Sequence, residues 1–268
     1  MEHFIWDINP ILLDFGVLKI RWYGLMFASA FVFGYSMMQW IYQREGKNVE
    51  DLDRMLWYLA IGIVAGARLG HVLFYDPAYY FAHPLKIPAI WEGGLASHGG
   101  IIGILLAMYL YKRGTNDSYL WLLDRIAFPC TMSGCFIRIG NFFNSEILGT
   151  ETNGPWAVVF TRIDDVPRHP VQLYEAFSYA LIFFILLAVY KKTYDKPIKG
   201  LLFGGVIALV FLARFCLEFF KTEQAMYDTG LPLTTGQLLS IPFFLVGCGF
   251  VVWSLKNYRA NASPSKHA

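Results

Sequence analysis

Apolar residues run in seven long blocks along the chain, at 22–42, 55–75, 94–111, 118–137, 170–190, 200–220 and 236–255. Polar or Gly/Pro-rich stretches separate them. A helix needs about 20 mostly apolar residues to cross the hydrocarbon core of a bilayer, and each block reaches or nearly reaches that length. The pattern predicts an all-α membrane protein with seven transmembrane helices, forming a single integral membrane domain over residues 1–268. The third and fifth blocks are the weakest, because polar residues sit at their starts. Residues 142–169 are the longest break and are expected to form a small extracytoplasmic head. Within it, Trp156–Phe160 reads as a short strand. No internal repeat with a 20–50-residue period is visible.

Composition narrows the class. Charged residues make up 16% of the chain, against about 25% in a soluble domain, so a soluble fold is excluded. The net charge of +2, without a basic stripe, argues against a nucleic-acid partner. The four cysteines all lie in apolar runs, which reads as buried small hydrophobes rather than a disulfide framework. The N-terminal stretch lacks a basic segment followed by a long apolar one, so no cleaved signal peptide is expected.

Lys and Arg set the orientation, because cytoplasmic loops carry the excess. Of the 22, twelve fall on one side of the predicted spans and seven on the other, with Arg68, Arg125 and Arg214 inside them. The richer side is expected to be cytoplasmic, which puts the N-terminus outside and the C-terminus in the cytoplasm.

Charged side chains are costly inside a bilayer and gather where a bundle interior or polar cavity receives them. In this topology Tyr23, Arg68, His71, His98, Arg138, Asn141, Asn144, Glu146, His169, Gln172, Glu175, Arg214 and Glu218 all fall toward the outer leaflet. Asp124 and Arg125 lie nearer the cytoplasmic side and read as structural. Arg68, Arg138 and Arg214 suggest an anion site, since guanidinium grips phosphate bidentately. Arg214 and Glu218, about one turn apart, read equally well as an internal ion pair. The glycines around His98 and Arg138 read as helix packing or as room for a substrate. No metal-ligand spacing accompanies the histidines, and no cofactor is expected. A transporter would place polar residues at the midplane with repeat symmetry, which the chain lacks. A retinal protein would need a lysine in the last block, and residues 236–255 contain none.

The run Gly134-Cys-Phe-Ile-Arg138-Ile-Gly140-Asn141-Phe-Phe-Asn144-Ser-Glu146-Ile-Leu-Gly149 resembles the signature of the prolipoprotein diacylglyceryl transferases. Ile137 stands where the family usually has Gly. Four further segments resemble family motifs in the same order: Arg21–Gly24, Gly94–Gly100, His169–Glu175 and Arg214–Phe220, the last followed by Lys221 in place of Arg. The resemblance implies transfer of the sn-1,2-diacylglyceryl group of phosphatidylglycerol to the lipobox cysteine thiol of a preprolipoprotein signal peptide. A thioether forms and glycerol 1-phosphate leaves. It also implies a multi-pass enzyme of the bacterial inner membrane, surrounded by membrane lipid, with its active site facing the outer leaflet. On these matches His98, Arg138 and Arg214 are the expected catalytic residues. Tyr23, Arg138, Asn141, Asn144, Glu146, Gly149, Gln172, Glu175 and Glu218 are the expected substrate-binding ones. Whether His98 takes the thiol proton or only positions substrate stays open at this level.

Overall fold

A computed structural model describes residues 3–16, 19–90, 93–115, 117–222 and 233–262. The chain is mostly helical. Its helices are α1 (Trp22–Arg44), α2 (Glu50–Phe74), α3 (Pro77–Ala82), α4 (Ser97–Arg113), α5 (Tyr119–Asn144), α6 (Val171–Thr193), α7 (Leu201–Leu217) and α8 (Thr235–Ala262). Short strands β1 (Phe4–Trp6), β2 (Ile11–Asp14), β3 (Lys19–Arg21), β4 (Val158–Phe160) and β5 (Pro167–Arg168) complete it, which corrects the all-α expectation. Among the described residues six helices are long and apolar enough to cross a membrane: α1, α2, α5, α6, α7 with its 3₁₀ extension to Phe220, and α8. The expected third span is α4, a 17-residue helix that rises about 26 Å, somewhat less than the roughly 30 Å hydrocarbon core.

Two compact units are present, Met1–Met38 with Asp124–Ala268 and Gln39–Leu123, the divisions falling inside α1 and α5. In the second unit α2 and α4 pack face to face through glycines. Gly62, Gly66 and Gly70 recur every four residues on α2, and Gly99 and Gly103 do so on α4. A Cβ added at Gly99 would lie 2.9 Å from the Gly70 Cα, and one at Gly103 would lie 3.1 Å from the Gly66 Cα. Only backbone surfaces can meet this closely, the device that small residues supply between membrane helices.

In the first unit the ends of the helices are fixed by side chains. Asp124, fully buried on α5, accepts from the backbone N–H of Gly200 at 2.7 Å and of Phe203 at 2.8 Å. It caps the N-terminus of α7 from another helix, satisfying donors that no intrahelical carbonyl reaches. The adjacent Arg125 lies over the Tyr190 ring at 5.4 Å. This pair is structural, as its sequence position indicates.

The head contains the Trp156–Phe160 strand in part, as β4, with a partner the sequence reading did not foresee. β1, from the extreme N-terminal region, runs parallel to β4 in register Phe4–Val158, and β5 pairs antiparallel on its other side. Trp6, Phe142, Val158 and Phe160 form a buried cluster with Phe143 and Leu148 packed on it. The Trp6 and Phe142 rings approach to 4.3 Å between centroids. This small core seats the C-terminal end of α5, where the signature residues begin.

Candidate active site

The last turns of α5 carry Arg138 and Asn141 on one face, three residues apart. Beyond Asn144 the chain leaves the helix through an uncommon backbone. Ser145 has φ 55° and Ile147 has φ 58°, the two non-glycine residues with positive φ among those described. Side chains that are not glycine avoid this region, a β-branched one most of all, and such residues cost about 1–3 kcal/mol each. The exposed Glu146 stands between them. Its Oε2 accepts from Asn141 Nδ2 and its Oε1 from Asn144 Nδ2, both at 3.1 Å. The Asn141 carbonyl accepts the Glu146 N–H at 3.0 Å.

The first turns of α6 close this corner from the other side. Gln172, fully buried, donates from Nε2 to the Glu146 carbonyl at 2.6 Å. Glu175, one turn later and equally buried, forms ion pairs with Arg138 Nε at 3.0 Å and with Lys221 Nζ at 2.8 Å. Lys221 also pairs with Glu218 at 3.2 Å. A short ladder ties the segment after α7 to the segment after α5. Thr150 N–H donates to the Phe220 carbonyl at 2.8 Å, Thr222 N–H donates to the Leu148 carbonyl at 3.2 Å, and Gly149 bridges to Lys221. A Cβ at Gly149 would meet the Val171 side chain at 2.7 Å, so only glycine lets the strand lie against the start of α6.

Arg138, Asn141, Asn144, Glu146, Gly149, Gln172, Glu175 and Glu218 therefore form one connected constellation in the first unit. Tyr23, at the start of α1, packs on α5 beside Gly140, where an added Cβ would come within 2.9 Å of its ring. Arg214 lies in the last turn of α7, one turn before Glu218. Among the described residues Arg214 and Glu218 form no ion pair, and Glu218 pairs with Lys221. Among the described residues no hydrogen bond or ion pair engages Arg214. Lys221 is the member of this network that sequence reasoning passed over. Its spacing of three residues from Glu218 was the available signal.

His98 belongs to the second unit, exposed at the start of α4. Arg68 belongs there too, and its environment overturns its reading as an anion ligand. Buried on α2, it donates from Nε to the Ile87 carbonyl at 2.7 Å and from Nη2 to the Lys86 carbonyl at 2.6 Å. Its Nη1 donates to the Gly94 carbonyl at 3.1 Å and also to that of Gly93. The Tyr80 ring lies 4.9 Å from its guanidinium carbon. Every nitrogen donates to a backbone carbonyl of residues 86, 87, 93 or 94, a structural role. Gly94 supplies the close approach: it has φ 71°, and a Cβ there would lie 2.8 Å from Arg68 Nη1.

Among the described residues no group of three or more His, Cys, Asp or Glu is placed to hold a metal ion. Outside the membrane-spanning helices, Asp164 departs from its ordinary pKa. The hydrogen bond from Arg168 holds its carboxyl below the usual range.

The sequence model of the prolipoprotein diacylglyceryl transferase family matches residues 10–253. The phosphatidylglycerol–prolipoprotein diacylglyceryl transferase of Tolumonas auensis is 53% identical over 252 residues, covering 94% of this chain and 97% of that one. The enzyme of the same name from Chloroherpeton thalassium is 48% identical, covering 95% and 96%. That from Bacteroides fragilis is 39% identical, covering 92% and 93%.

Proposed function

The chain belongs to the prolipoprotein diacylglyceryl transferase family, and from that premise we propose how its own side chains carry out the reaction. The enzyme transfers the diacylglyceryl group of phosphatidylglycerol to prolipoproteins. In the proposed chemistry the acceptor is the lipobox cysteine. Its sulfur attacks the sn-3 carbon of the glyceryl group, an S–C bond forms, and the C–O bond to phosphate breaks. Glycerol 1-phosphate leaves with the bonding electron pair.

The phosphate gains negative charge as that bond breaks, so fixed cations beside it lower the barrier. Arg138 is held through Nε by Glu175 and through Nη1 by Asn141 at 3.4 Å. A guanidinium fixed in this way is a pre-oriented donor to a phosphate oxygen. Arg214 supplies the second cation, and the observation that carries this reading is its lack of any intramolecular partner among the described residues. Glu146, steadied by two amides, offers acceptors to the hydroxyls of the headgroup glycerol. Asn141 and Asn144 orient it, and Gly149 and Glu218 shape the wall behind it. Tyr23 donates to a phosphate or ester oxygen.

A free thiol has a pKa near 8.5, so only a few per cent is thiolate at neutral pH. His98 takes that proton in the proposed mechanism, an exposed imidazole at a helix start bracketed by Gly94, Gly99 and Gly100. In the proposed topology α4 also spans the membrane, as the third of seven, the N-terminus lies outside and the C-terminus in the cytoplasm. The asymmetry of Lys and Arg supports this, and the site then faces the outer leaflet of the bacterial inner membrane.

Arg214→Lys tests the headgroup role. It keeps the charge and removes the planar fork. Transfer from phosphatidylglycerol vesicles to a lipobox peptide is expected to fall roughly 10- to 100-fold, with expression and thermal midpoint in detergent unchanged. A fully active variant would exclude bidentate phosphate contact by Arg214.

A further inference from the structure

We infer that Gln172 is a positioning residue. It is a buried strap that holds the left-handed Ser145–Ile147 turn and thereby aims the Glu146 carboxylate, and it makes no contact with the headgroup. The inference rests on the reading of residues 138–149 as the headgroup site.

Two observations converge. The turn is intrinsically unfavourable, with φ 55° at Ser145 and φ 58° at the β-branched Ile147. Such a conformation persists only where surrounding structure over-determines it. Gln172 provides that restraint from a different helix, donating to the carbonyl of Glu146, the residue between the two, at 2.6 Å. Its side chain is fully buried, and its Oε1 has no hydrogen-bond partner. The one visible service of the amide is therefore the donation to Glu146. Without Gln172 the Glu146 carbonyl loses the donor that reaches it from the buried side. The turn would then relax toward right-handed or extended backbone, carrying Glu146 away from Asn141 and Asn144. The sequence position fits: Gln172 sits in the first turn of α6, one turn before Glu175. One helical face thus fixes both the turn through Gln172 and Arg138 through Glu175.

The test pairs removal of the strap with removal of the strain. Gln172→Met keeps length and burial but cannot donate. Its transfer rate from phosphatidylglycerol vesicles is expected to fall roughly tenfold or more. Hydrogen exchange of the Glu146 amide should rise, while the thermal midpoint in detergent stays near that of the parent. Ile147→Gly removes the conformational penalty, because glycine enters the left-handed region freely. Placed in the Gln172→Met background, it should restore most of the rate. Should Gln172→Met fail to accumulate, Gln172→Asn, one methylene too short to reach the carbonyl, carries the same expectation. The inference is overturned if Gln172→Met is as active as the parent. It is also overturned if amide protection at Glu146 is unchanged, or if Ile147→Gly gives no rescue while the loss appears wholly as a raised KM for phosphatidylglycerol. The parent protein is assayed alongside. A parent that moves no diacylglyceryl group would sink the headgroup reading itself, whereas the exchange measurement would still report on the strap.

Discussion

Arg68, Arg138 and Arg214 carry the same side chain and meet three different fates. The carbonyls of residues 86, 87, 93 and 94 engage every nitrogen of the buried Arg68. Glu175 holds Arg138 at Nε and Asn141 holds it at Nη1, and Arg214 is engaged by no described residue. What the neighbours leave over decides the chemistry: a buried guanidinium with all three nitrogens engaged ties chain segments together, and one with free donors can bind phosphate. His98 has a similarly open position, and the base role gives it a measurable signature. General-base catalysis is typically worth about 10²–10⁴-fold. His98→Gln is expected to lose something in that range at neutral pH. It should regain part of the loss as pH rises toward the thiol pKa of about 8.5, where solvent hydroxide supplies the thiolate. Rates of parent and variant that stay parallel from acid to alkaline pH would leave His98 with positioning alone. The polar set of the site was legible in the sequence because charges inside apolar blocks are conspicuous. The partners were not. Backbone carbonyls have no side-chain signature, so the role of Arg68 was invisible, and competition between Arg214 and Lys221 for Glu218 is settled only by geometry.

Helix contacts follow from periodicities that the sequence does carry. Glycines four residues apart lie on one face of a helix, and the spacing in α2 and α4 marks both faces before either is seen. Which helix receives which face is a tertiary fact. The contact predicts a cost for any side chain placed there. Gly99→Val puts three heavy atoms where the Cβ alone would sit 2.9 Å from the Gly70 Cα. The backbones must separate, and overpacking of this kind typically costs about 1–3 kcal/mol. A lowered thermal midpoint in detergent is the expected result. An unchanged midpoint would mean that this helix pair contributes little to stability. Asp124 shows a different limit of sequence reading. Its structural role was read from its charged neighbour, Arg125, whereas the carboxylate also caps α7, 76 residues away in the chain.

At the scale of the whole chain, six helices match the expected apolar blocks closely because length and apolarity are what a bilayer demands. α4 is the exception. Its apolar block, 94–111, is the shortest of the seven; it opens beside Gly93 and Gly94, which adopt positive φ, and the helix runs from Ser97 to Arg113, 17 residues. The pairing of β1 with β4 lay beyond reach, since parallel pairing across about 150 residues leaves no local pattern. The central claim is that this chain moves a diacylglyceryl group to a cysteine thiol at the outer leaflet. The most direct test uses spheroplasts whose sole member of the family is this protein. They are given an impermeant lipobox peptide from outside and phosphatidylglycerol labelled in its headgroup. The account predicts that, before any lysis, the peptide gains the mass of a diacylglyceryl thioether and labelled glycerol phosphate appears in equal amount. A peptide carrying only a fatty acyl group, with the label left in lysophospholipid, would contradict the chemistry, and product that forms only after lysis would contradict the orientation.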